Sequence, residues 1–448
     1  MNISNYLSAN RSKLFKTFLC YVSFLCFGAC YTLLGSSLFD LQIRMSVLFT
    51  QATRLVPSRS FGILIGSIVS GFIGIFLESE MVLFITNMMA GVMTGAAPLF
   101  KQYNVVNACL FLSGIAQGIL EIYSNTFVLS IWNEKSTNYV QVLHGTFGLG
   151  SLLAPLMVKS FLLPQVADST NTTESADTNN TTDSGNKTFV AYTPEDVKVQ
   201  YPFLFFGLIM ILTSCGFLYS YFKSGSIRKS KVTEISDDHP RWKKLLVIMI
   251  GAFICHASFA VNAMTGSLAP AFVVKSDLKM TKKDGANLVS TYWTVFTSYR
   301  LIFIIATNYI EKIFIIIFNC LLTLTGAVLM FLYAAHSQTF AWISFIMLAI
   351  GFSPTFAASL GFIQEYICIT QNYASFIFLI GAIGDTAHPW IITGFMDKTP
   401  ELFATYVSSL AAVQATIVLL LPFVCAKLFK AKTKETLNRT SSLRISQR

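Results

Sequence analysis

The chain has 448 residues, 54% of them hydrophobic and 12% charged, with 40 phenylalanines and a formal net charge of +10. Soluble domains average about 25% charged residues, so this composition excludes an ordinary soluble protein and describes a polytopic membrane protein. The apolar runs have the roughly 20-residue length of helical spans, not the roughly 10-residue alternation of a membrane barrel. The basic excess flanks these runs, which argues against nucleic acid as a partner.

In chain order the pattern predicts twelve spans, at 14–37, 57–77, 80–99, 105–130, 138–162, 201–222, 245–270, 286–308, 313–335, 340–361, 373–396 and 402–425. The polar start lacks a compact apolar run ending in a small-residue cleavage site, so the first span is read as retained. The larger share of the basic residues lies on one side: Arg11, Lys13 and Lys16 before span 1, seven Lys and Arg in the 223–244 linker, and the tail after 425. Positive-inside asymmetry therefore predicts cytoplasmic termini and linker. Loop 163–200, rich in Ser, Thr, Asn and Asp, carries acceptor sequons at Asn171, Asn179, Asn180 and Asn186. Their use requires an exposed loop on the opposite side, where an even span count places them.

These features predict an all-α protein of two six-helix bundles. The N-terminal bundle is 1–222 and the C-terminal bundle 245–425, with linker 223–244 and basic tail 426–448. Gly150 and Pro155 in span 5 and Gly384 and Pro389 in span 11 share one spacing, the kind of trace left when two halves share a fold.

Span 4 places Gln117, Glu121 and Asn125 at i, i+4 and i+8 on one face. Lipid would leave that stripe unsatisfied, so it faces protein or water. Glu121 is the candidate cation or proton site, with Gln117 and Asn125 as candidate substrate amides. An interhelical hydrogen-bonding stripe is the plainer reading. Span 5 begins with Gln141 and His144 on one face, candidate substrate-binding residues, with a neutral hydrogen-bonding histidine as the plainer reading of His144; Gly145, Gly148 and Gly150 follow and allow close helix approach. Asp40 at the end of span 1, read at the outer mouth, is a further candidate for ion coupling. Span 7 carries His256 and Asn262, six apart and hence not on one face. Asn262 is the substrate candidate, because Gly266 and Pro270 suggest a broken helix. Span 8 carries Tyr292, Phe296 and Arg300 at i, i+4 and i+8, with Trp293 adjacent. Aromatic rings suit the C–H faces of a sugar, although plain core packing fits them equally. Span 11 carries Asp385 and His388. Glu121 and Asp385 form a pair of candidate coupling carboxylates, with Arg300 the expected partner of one of them.

Other chemistries lack support. The chain has no Walker-type phosphate loop, no nucleophile elbow or HExxH and no metal-site spacing. It is therefore read as neither an enzyme nor a metalloprotein, and no cofactor is expected beyond Na+ as a co-substrate. The nine cysteines lie within or beside spans and read as buried hydrophobes rather than a disulfide framework.

The run from Asn125 through Trp132 to QVLHGTFGLGSLLAP resembles the sodium-dependent glucose transporter branch of the major facilitator superfamily and, more distantly, the bacterial fucose permeases. The likeness extends to LLGSSLFDLQ, YWTVFTSYR and GAIGD. Where that branch often has Asp this chain has Glu121, and where it often has Glu this chain has Asp385. Tyr123-Ser124-Asn125 replaces Gly-Gly-Asn. The superfamily's basic motif between helices 2 and 3 is absent, and GFIGIFLESEM carries Glu78 and Glu80 instead. The resemblance implies a monomeric plasma-membrane carrier of a hexose or similar small polar solute, coupled to Na+, working by alternating access. Proton-coupled or facilitative transport of another solute, such as an organic anion or urea, remains an alternative. So does a non-transporting sensor or scaffold on the same fold.

Overall fold

The structure, a computed structural model, describes residues 10–73, 76–132, 136–164, 192–224, 240–306, 309–367, 369 and 371–429. The four sequons and most of the 223–244 linker and the tail lie outside the described residues. So does Cys368. The remaining eight cysteines are free, and seven of them are buried.

Among the described residues twelve long helices follow one another: α1 Arg11–Met45, α2 Leu55–Ile73, α3 Ser79–Ala96, α4 Tyr103–Trp132, α5 Ser136–Lys159, α6 Gln200–Ser224, α7 Arg241–Lys275, α8 Lys282–Ala306, α9 Lys312–Tyr333, α10 Gln338–Gln364, α11 Gln371–Thr393 and α12 Leu402–Leu428. A five-residue helix, Phe49–Thr53, leads into α2. Eleven of the twelve are long and apolar enough to cross a membrane. The exception is α8, whose first turn holds Lys282, Lys283 and Asp284 and whose inner part holds Arg300. Its buried Tyr292, Trp293 and Phe296 are packed against protein instead.

The expected break in span 7 is not there. Helix α7 runs unbroken for 35 residues with Pro270 inside it. A proline removes one backbone bond, and here its neighbours hold the helix. Ala269 and Ala271 are fully buried, and Gly285 of α8 lies against the Pro270 ring and backbone.

The shared glycine of spans 5 and 11 has a structural counterpart. A methyl group at Gly150 would lie 1.8 Å from the Leu25 carbonyl oxygen of α1. At Gly384 it would lie 2.3 Å from the His256 carbonyl oxygen of α7. Helix α5 thus meets α1 as α11 meets α7, each at a glycine that lets the backbones touch.

Contacts between the first six helices and the last six run from mid-span toward the face opposite the termini, here the far face. Thr386 Oγ1 donates to the Ser60 carbonyl at 3.0 Å, and Ser290 Oγ to the Leu152 carbonyl at 3.2 Å. Gly35 of α1 lies directly against the backbone of Ser267 in α7. Lys282 Nζ meets Asp40 Oδ1 at 2.7 Å. The two bundles are closed on each other at that face.

Candidate functional site

A stripe of small residues places the central cation. Gly62 and Gly66 on α2 and Gly114 and Gly118 on α4 each abut a backbone carbonyl of the other helix, so the two helices lie in backbone contact. Arg59 sits three residues before Gly62 and Gln117 three after Gly114. The Arg59 guanidinium, 5% exposed, donates to Gln117 Oε1 through Nε at 3.1 Å and a terminal nitrogen at 2.6 Å. Gln117 Nε2 donates to Ser113 Oγ at 2.9 Å. Gln117, fully buried, is therefore occupied in fixing Arg59. The guanidinium also lies 5.7 Å from the centre of the Tyr31 ring, a cation–π distance.

The Tyr31 hydroxyl donates to Asp385 Oδ1, joining α1 to α11 across the two bundles. Ser60 and Arg59 flank the same carboxylate. Asp385 Oδ2 is buried and has no hydrogen-bond partner among the described residues. Glu121, half-buried on α4, lies within electrostatic range of Asp385, Tyr31 and Cys255. Asn125, one turn further, turns its amide back to the Glu121 carbonyl at 2.9 Å. The structure thus brings Glu121 and Asp385 into one cluster.

Arg300 takes a different place from the expected one. It donates to the Ser353 carbonyl at 2.9 Å, lies 4.9 Å from the Phe296 ring centre, and shares its surroundings with His144 rather than with a carboxylate. The guanidinium beside Asp385 belongs to Arg59, on a helix whose polar start had hidden it. Tyr31 was equally hidden, since a tyrosine in an apolar run reads as core.

Aromatic rings form the wall between these charges. Trp293 meets Tyr31 at 6.1 Å, Phe147 at 5.6 Å and Phe296 at 5.1 Å, all edge-on. The Trp293 indole N–H is buried and finds no acceptor among the described residues. Tyr292, fully buried, donates to Asn262 Oδ1 at 2.8 Å. His144 packs edge-on to Phe24 at 5.7 Å, and Gln141 is half-buried one turn earlier. Asp40 lies apart from the cluster. Its oxygens take Lys282 Nζ at 2.7 Å and the Leu163 backbone N–H at 2.8 Å.

A two-bundle membrane protein with twelve helices, charges enclosed at mid-span and an aromatic wall between its halves has the major facilitator fold. No protein-family signature matches the chain. It is similar to human sodium-dependent glucose transporter 1, 25% identical over 401 residues, covering 89% of this chain and 76% of that protein. It is also similar to mouse sodium-dependent glucose transporter 1A, 23% identical, covering 85% and 90%, and to human major facilitator superfamily domain-containing protein 4A, 26% identical, covering 44% and 42%. Among solved structures it superposes on a bacterial homologue of the lysosomal transporter Spinster, inward-facing and unoccupied, with a TM-score of 0.63 at 10% identity, covering 94% of this chain and 99% of that one. A D-xylose–proton symporter gives 0.62 at 12% identity over the same shares. The expected resemblance is thus found over most of the chain, and it groups the protein with transporters rather than enzymes.

Proposed function

We propose that this protein is a secondary active carrier of a hexose, such as glucose, with Na+ as the coupled ion, working in the plasma membrane as a monomer with cytoplasmic termini. The observation that carries this reading is the grouping of two carboxylates with a guanidinium at mid-span. Two carboxylates, Glu121 and Asp385, share a cluster in which Arg59 is, among the described residues, the guanidinium beside Asp385. Unpaired charge is costly at that depth, so the cluster favours entry of a further small cation. Trp293, with a free indole donor beside rings that meet it edge-on, offers a sugar an apolar surface and a hydrogen bond together. The names of the full-length relatives support the same solute and ion.

The closing of the two bundles at the far face supports alternating access, in which the bundles rock about a midplane site. A proton is the second reading for the coupled cation. It is favoured by the Tyr31–Asp385 bond, which already occupies one carboxylate oxygen. The test is uptake of labelled hexose, organic anion and urea by proteoliposomes, with Na+ and pH gradients imposed separately. Hexose accumulation driven by Na+ alone is the expected result. Accumulation driven by pH alone selects the proton, and tight hexose binding without flux selects a sensor.

A further inference from the structure

A second polar network lies in the C-terminal bundle, beyond the carboxylate cluster. His256 of α7 and His388 of α11 face each other Nε2 to Nε2 at 2.8 Å. His256 Nδ1 is 3.0 Å from the Ile380 carbonyl oxygen. His388 Nδ1 is 2.8 Å from the Tyr406 hydroxyl of α12. Every ring nitrogen of the pair thus has a partner.

The partners dictate the protons. A carbonyl only accepts, so His256 Nδ1 carries hydrogen. In the neutral pair His256 Nε2 is then bare and accepts from His388 Nε2–H. His388 Nδ1 is bare and accepts from Tyr406. The two imidazoles are held in opposite tautomers. One added proton fits without loss of a bond: it lands on His388 Nδ1, and the Tyr406 hydroxyl turns from donor to acceptor. The proton can also pass to His256 across the Nε2 contact. A second proton cannot enter, because both Nε2 atoms would then be donors facing one another at 2.8 Å.

We propose that His256, His388 and Tyr406 form a binding site for one proton, separate from the Glu121–Asp385 cluster and one helical turn from Asp385. Tyr406, half-buried, lies one turn inside the start of α12 on the far-face side. The site's role in moving solute rests on the transport reading above; its capacity for a single proton does not. The charged and titratable groups around it come from each adjoining helix. Asp385 lies on α11 and Cys255 on α7, with Glu121 of α4 and Arg59 of α2 beyond them. Glu401 precedes Tyr406 on α12, and the Lys275–Asp397 pair, 3.1 Å apart, lies at the far face. Occupation of the site adds positive charge beside Asp385 and weakens the hold of that carboxylate on any other cation.

The full chain, with its histidine rings labelled with 15N, tests this by NMR across roughly pH 3 to 8, a window reaching below the range in which a free histidine changes charge; a pair that binds no proton anywhere in that window overturns the proposal. His256→Gln and His388→Gln provide the assignment. The expected spectrum shows His256 as the Nδ1–H tautomer and His388 as the Nε2–H tautomer, with both rings shifting together as one proton is bound. Tyr406→Phe, which removes only a hydroxyl, is expected to shift that midpoint. Identical tautomers, two protons bound, or curves for each ring that ignore removal of the other overturn the proposal. Labelled-hexose uptake by the same protein in liposomes forms a separate arm. Absence of flux at every pH sinks the transport reading, while the NMR result still decides the proton site.

Discussion

The Tyr31 hydroxyl rests on Asp385 Oδ1 and so ties the first helix of one bundle to the fifth helix of the other. Both residues are buried, and Tyr31 is also edge-on to Phe147 and Trp293. A bond of this kind to a carboxylate is worth about 1.5–3 kcal/mol. If it forms in only one of the states of the cycle, its loss shifts the balance between states by about ten- to a hundredfold. Tyr31→Phe keeps the ring contacts and removes the bond. The expected outcome is uptake reduced by at least about tenfold with surface expression intact. Wild-type flux from Tyr31→Phe contradicts a role for this contact in the cycle.

Glu121 has a different environment, half-buried and with no side-chain hydrogen bond among the described residues. Glu121→Gln preserves shape and removes the charge. The expected result is weaker ion dependence of uptake, with protein still at the surface. Uptake that keeps both its rate and its ion dependence in this variant takes Glu121 out of coupling and leaves Asp385 as the coupling group.

The helices were readable because eleven of the twelve are apolar runs of spanning length that leave little freedom, and α8 was readable from its aromatic middle despite its charged first turn. The polar stripe of α4 was readable as a stripe, since spacing fixes which residues share a face. What each residue touches was not readable. Gln117 is committed to Arg59 and the Asn125 amide nitrogen to its own helix, which leaves the Glu121 carboxylate as the stripe's charged group for an incoming partner. Arg59 went unseen because it stood at the edge of a span, where a basic residue needs no explanation. A signal did exist: Gly62 and Gly66, and Gly114 and Gly118, repeat one i, i+4 spacing. Docking those two ridges brings Arg59 to Gln117. The direction of Arg300 depends on α10, whose Ser353 carbonyl accepts its proton, and no pattern within α8 carries that information.

The missing basic motif between α2 and α3 has a replacement inside the N-terminal bundle. Lys16 Nζ lies 3.1 Å from Glu80 Oε1, with both side chains at most 3% exposed. Ser220 of α6 donates to the same oxygen at 2.7 Å. Glu80 also sits in the first turn of α3, where a negative charge suits the helix dipole. Removing one member of a buried pair costs about 3–5 kcal/mol. Lys16→Met is therefore expected to lower thermal stability in detergent strongly, and Lys16→Met with Glu80→Gln to recover much of it. Equal stability of the single and double variants argues against coupling of the two charges.

At the far face the charge pair spans the bundles instead of bracing one of them. Asp40 is fully buried, Lys282 is 11% exposed, and their 2.7 Å contact is seconded by the Leu163 N–H on the other carboxylate oxygen. Such a pair must separate whenever that face opens, so it weights the cycle toward the closed-face state. Asp40→Asn is expected to favour the opened far face, read as faster labelling of a cysteine placed at Ser267, which Gly35 covers. Exchanging the charges, Asp40→Lys with Lys282→Asp, is expected to restore slow labelling, although the Leu163 bond is lost. Labelling as fast in the exchange variant as in Asp40→Asn shows that Asp40 acts through the backbone of Leu163 and not through Lys282.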